Sequence, residues 1–126
     1  MTHPIVLLQA ALVTALRAEI EPPVFDAPPR DTTPPYVAIA RHDVMPRDGD
    51  VAPGLEHRLL LHVWATDASR KAVLAIAEEV VQVALDVSSD DLTITLARHD
   101  RTDSAIDQAA GRARAAIALT FFTEPS

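Results

Sequence analysis

The sequence predicts an α+β fold, with two helices packed on one face of a mainly antiparallel four-stranded sheet. Three observations lead there. Apolar residues recur at helical spacing near the N-terminus and again after residue 68. They alternate with period two in the stretches around residues 36–41, 58–66, 92–97 and 112–123. The resulting order is helix, strand, strand, helix, strand, strand, which favours hairpins under two helices over alternating βαβ units. All of this fits one domain spanning residues 1–126.

The first helix is expected from Pro4 to about Glu19. Thr2 or His3 can cap it, and proline suits the first turn, where a missing N–H is no loss. Leu8, Leu12 and Leu16 share one face, and Glu21-Pro22-Pro23 ends the helix. The apolar run Ile5 to Leu16 follows no Lys or Arg, as a signal peptide would require, and falls short of the ~20 residues a membrane span needs. It reads as a core helix. Val24-Phe25 is a short extended piece, and residues 27–35 carry four prolines, which suits a connecting loop and no central strand.

Tyr36 to Arg41 is the first strand of the expected sheet. Arg58 to Thr66 is the second, with Leu59, Leu61 and Val63 on one face and Leu60, His62 and Trp64 on the other. A long loop, Asp43 to Glu56, is expected between them. The second helix is expected over about Ala68 to Asp86, capped by Asp67, with Val73, Ile76, Ala77, Val80 and Ala84 as its apolar stripe. Leu92, Ile94 and Leu96 mark the third strand, Asp100 to Gly111 a polar loop, and Arg112 to Thr123 the last strand.

Composition excludes several kinds of chemistry. The net charge of -7 opposes binding of nucleic acid through phosphate neutralisation, and 4% aromatic residues leave little for base stacking. The absence of cysteine removes disulfides, thiolate zinc sites and cysteine nucleophiles. The three glycines form no nucleotide-binding fingerprint. No serine sits in a nucleophile elbow, and Glu78-Glu79 diverge by about 100° on a helix, so no catalytic constellation and no cofactor site is read.

Ala-Arg-His-Asp occurs twice, at Ala40–Asp43 and Ala97–Asp100, each time where a strand is expected to end. The repeat is either coincidence or the trace of a duplicated helix–hairpin unit. Its His-Asp dipeptides invite a metal-dependent hydrolase or ligand-binding reading, but no further ligand is suggested beside them. His57 and His62 have opposite strand parity and cannot chelate together.

The strand Arg58–Thr66 is apolar on both faces, and Phe121 and Phe122 point to opposite sides of the last strand. Two helices cover only one sheet face. The other needs either the proline-rich loop or a neighbouring subunit to shield it. The loop between the first two strands carries Val44, Met45, Val51 and Leu55, more apolar side chains than a solvent loop needs. With Arg47, Leu60, Trp64 and Phe122 they are the candidate partner or subunit contacts.

The runs Val24-Phe25-Asp26-Ala27-Pro28-Pro29, Pro34-Pro35-Tyr36-Val37-Ala38-Ile39 and Glu56–Trp64 resemble the tail terminator (tail completion) proteins of long-tailed phages and phage-like gene transfer agents. Ser69–Ala77 is similar to the start of that family's second helix, and Gly111–Arg114 to the start of its last strand. The resemblance implies a small α+β subunit, without catalysis or cofactor, that forms a hexameric ring at the head-proximal end of the tail tube. It further implies contacts with the tail tube protein and with a head-side connector or stopper, and DNA passing through the lumen without specific binding. No membrane is involved in that reading. The preference for Arg over Lys with abundant Ala suggests a GC-rich gene, hence a bacterial host in whose cytoplasm the subunit is made before it joins the particle.

Overall fold

The computed structural model describes residues 2–47 and 54–125. Helix α1 spans Pro4–Glu19, as expected. The His3 ring nitrogen accepts the Ile5 N–H, and the backbone turns extended at Ile20, whose N–H closes the last turn on Leu16. Helix α2 spans Arg70–Leu85. Its N-cap is Ser69 and not Asp67, because the Ser69 hydroxyl is the group that accepts the Ala72 N–H. Leu8, Leu12 and Leu16 of α1, and Val73, Ala77, Val80 and Ala84 of α2, are buried against the same side of the sheet.

The sheet has five strands and is mixed, which corrects the expected four-stranded antiparallel arrangement. Val24–Phe25 is a true strand, β1, and runs parallel to β2, Tyr36–Pro46. The proline-rich segment between them returns the chain so that both run the same way. Burial of Val24 and the Val37 N–H donated to the Pro23 carbonyl anchor the pair. Beyond lie β3, Leu55–Ala65, then β5, Arg112–Pro125, then β4, Leu92–Asp107, in the order β1-β2-β3-β5-β4. All pairings except β1–β2 are antiparallel.

Two expected loops turn out to be partly strand. The β2–β3 ladder continues through Pro46 and Leu55, so both ends of the expected Asp43–Glu56 loop are strand, while Val51 lies outside the described residues. A register shift between Ile39 and Arg41 absorbs one residue, so the simple alternation read from Tyr36 onward changes phase there. Likewise Asp100 to Asp107 is strand, because β5 offers a partner along its whole length. Shifts between Ile94 and Leu96 and between His99 and Arg101 mask its periodicity.

The β4–β5 hairpin closes over residues 108–111. The Asp107 carboxylate accepts the Ala110 N–H, and Gly111 takes a left-handed φ of 66°. Nothing lies within 4 Å of a Cβ at this position, so backbone conformation alone favours glycine. Gly111→Ala is expected to cost about 1 kcal/mol in urea unfolding, with the native fold retained.

The core sits between the helices and the inner face of the sheet. Leu59, Leu61 and Val63 of β3 and Ala113, Ala115, Ile117, Leu119 and Phe121 of β5 fill it. Among the described residues His57, Thr120 and Thr123 are the buried polar ones, and the His57 imidazole is fully buried.

Candidate functional site

Strand parity divides the sheet residues into an inner face under the helices and an outer face that no described helix covers. The proline-rich segment borders this outer face. It lies at one end, where Pro29, Asp31, Thr32 and Thr33 line a groove with Tyr36 and Arg112.

The ladder arranges the outer face in rows across four strands. At one end Tyr36, Trp64, Arg114 and Ala105 lie side by side. Phe25 meets Tyr36 edge-on, Trp64 stands beside Tyr36, and His62 meets Trp64 edge-on, forming a half-buried aromatic cluster. Burial and then the nearby Arg114 charge hold the His62 pKa below its usual value, against the opposing Asp103 carboxylate. In the middle, Arg41, Leu60, Ala118 and Arg101 form one row. At the far end Met45, Glu56, Phe122 and Leu96 form another, with Met45 and Leu96 exposed. There the Arg47 guanidinium sits 3.8 Å from the centre of the Phe122 ring.

Charge on this face follows a repeated device. Arg41 pairs with Asp43, Arg58 with Glu56, Arg98 with Asp100 and Arg101 with Asp103, each two residues apart along one strand. Pairs with at least one exposed partner, as all four are, contribute about 1 kcal/mol or less each to stability, so their main effect is the alternating surface they create. Asp100 is the most engaged of the acids. Burial raises its pKa, but hydrogen bonds from the Thr120 hydroxyl and Arg98 outweigh that, and its carboxyl lies below the usual carboxylate range.

The two Ala-Arg-His-Asp segments therefore sit inside β2 and β4, on either side of the β3–β5 pair, and not at strand ends as the sequence suggested. Their arginines and aspartates face outward. Their histidines face inward and have different partners. His99 bonds Thr102, while His42 meets His57 at 2.8 Å, and His57 continues to the Thr123 hydroxyl at 3.0 Å. Gln9 of α1 reaches the other nitrogen of His42. Burial holds both His42 and His57 neutral, with pKa values lowered to about 4. The neighbouring His57 and His3 push His42 further down against the opposing Asp43, and His3 acts likewise on His57. Two neutral imidazoles relay one hydrogen bond to the next, a structural use of the pair. Among the described residues no group of three or more His, Asp or Glu side chains is placed to hold a metal ion.

Of the candidate contact residues, Met45, Arg47 and Phe122 come together at one end of the outer face, Leu60 lies at its middle and Trp64 at the other end. Val44 and Leu55 fall instead on the inner-face parity, opposite His57 and Thr123. The sequence reading missed Tyr36, Leu96 and the arginine–acid ladder of β4. The spacing Arg98, Asp100, Arg101, Asp103 was the available signal, hidden by the shift at Asp100.

The fold thus defines a two-layer α+β subunit with one packed side and one open side. It is similar in structure to a chain of the virion of a native gene transfer agent particle, with a TM-score of 0.79 at 21% identity, covering 98% of this chain and 99% of that one. That likeness carries the fold. No curated protein matches the sequence. The chain belongs to the family of the tail completion protein gp17, whose model matches residues 6–124, and is a structural protein of a phage-type tail.

Proposed function

We propose that this protein is a tail terminator: copies of it form a ring, expected to be a hexamer, that caps the head-proximal end of the tail tube, stops tube growth and joins the tail to the head-side connector. The reading is non-enzymatic. The observation that carries it is membership of the tail completion family over nearly the whole chain. The uncovered outer face supports it, because apolar side chains such as Leu96, Met45 and Phe122 gain from a covering partner. The Arg47–Phe122 end of the outer face is assigned to contact with the tube or the connector. Electron microscopy of the protein mixed with tail-tube subunits tests the proposal. Tubes of limited length bearing a ring-shaped density at one end are expected. Unlimited tube growth with no cap, at equimolar protein, would overturn it.

A further inference from the structure

The two edges of the sheet differ and complement each other. One edge is β2, of which β1 covers only Val37 and Ala38, so that no described strand pairs with Arg41–Pro46 on that side. The other is β4, sixteen residues long and paired on one side only among the described strands. Unprotected edges of this kind are templates for strand addition. Because β2 is antiparallel to β3, β3 to β5 and β5 to β4, the two edge strands run in opposite directions. A second copy related by rotation about an axis to which the strands are tilted, as in a closed barrel, therefore brings its β4 antiparallel to the first copy's β2. This is a head-to-tail contact that leaves an equivalent edge open for the next copy until the ring closes.

Charge selects the register. Within one subunit Arg41 and Arg101 lie in the same row. Joining two copies without stagger would set these arginines opposite each other. Sliding the second copy by two residues, about 7 Å, places Arg41 opposite Asp103 and Asp43 opposite Arg101 at the same time. Strand parity is kept, and His42 faces Thr102 on the inner side. Closed sheets require such a stagger. The four side chains are exposed and already alternate in sign within each strand, so the staggered contact turns two exposed pairs into a four-charge cluster across the junction.

We propose that neighbouring copies of this chain join edge to edge, β2 of one against β4 of the next, with Arg41–Asp103 and Asp43–Arg101 pairs fixing the register. This rests on the ring-forming reading above and names its interface.

A charge swap tests it. R101D/D103R keeps the ion pair within β4 but sets like charges across the junction, and is expected to weaken ring formation about tenfold, the effect of losing roughly 1.4 kcal/mol. Adding R41D/D43R to the same chain restores complementarity and is expected to restore assembly. The cysteine-free sequence allows a second readout. In D43C/R101C the two positions lie three strand spacings apart within one copy, about 14 Å, beyond the reach of an intrachain disulfide. Oxidation of assembled protein is then expected to give a ladder of covalent oligomers on a non-reducing gel. If the parent forms rings on tubes while the swap neither weakens nor restores them and no ladder appears, the edge-to-edge contact is wrong and the ring stands. If the parent forms no ring even on tubes, both readings fall.

Discussion

Lowering the pH from 7 to 4 is expected to strip the protein of much of its stability. His57 is fully buried, and its pKa is lowered from 6.5 to about 4 by burial and then by His3. The unfolded chain therefore binds a proton between these values that the folded chain refuses, and stability falls as pH drops through this window. The stabilisation is complete above about pH 6.5 and gone below about 4. A displacement of this size is worth on the order of 3 kcal/mol for His57 alone. His42, lowered for the same main reason and bonded to His57, adds to the effect in the same direction. Protonating either ring also turns an acceptor nitrogen into a donor and breaks the relay from Gln9 to Thr123. Urea unfolding at half-unit pH steps measures this. His57→Gln should be less stable at pH 7 and should flatten the curve between pH 6.5 and 4. A parent curve that is flat over that window would reject the buried neutral pair.

Phe121→Ala is expected to lose about 3–5 kcal/mol, a large part of the 5–15 kcal/mol typical of a single domain. Phe121 is the largest fully buried side chain, standing on β5 between His57 of β3 and Ala97 of β4. Its removal empties a site walled by ladder backbone on both sides, which can collapse only partly. Phe122, its neighbour in sequence, lies on the outer face under Arg47. Phe122→Ala should change monomer stability far less, because its ring is only half-buried. The urea midpoint should move strongly for Phe121→Ala and weakly for Phe122→Ala, with the denaturant slope unchanged in both. Equal shifts would contradict the assignment of the two rings to opposite faces.

Local pattern determined much of this protein by itself. The 3.6-residue spacing of Leu8, Leu12 and Leu16 defined α1 and its buried face, and Pro4 and Pro22-Pro23 set its ends. The period-two alternation of Leu59 to Trp64 placed each β3 side chain on the correct face, so Leu60 and Trp64 were readable as outward residues, as Phe122 was from the alternation of the last strand. The quoted motifs pointed to the tail completion family. These signals are local: they depend on the helical and strand periods and on proline's missing N–H.

Tertiary structure decided the rest, wherever a residue's state depends on a partner distant in the chain. Val24–Phe25 is too short to declare itself a strand and becomes one only because the chain returns at Val37 and Ala38. Polar residues 100–107 read as loop until β5 supplies the facing ladder, and the register shifts at Ala40, Thr95 and Asp100 alter the phase that a sequence pattern must keep. His42 and His57 are fifteen residues apart, with no spacing rule to join them. Pairing β2 with β3 brings them to 2.8 Å, and burial under α1 turns two ordinary histidines into a neutral pair. The arginine–acid rows arose the same way. Each pair is visible along its own strand, but the alignment of Arg41 with Arg101 across four strands is set by hydrogen-bonded register, a property of the sheet and of no single segment.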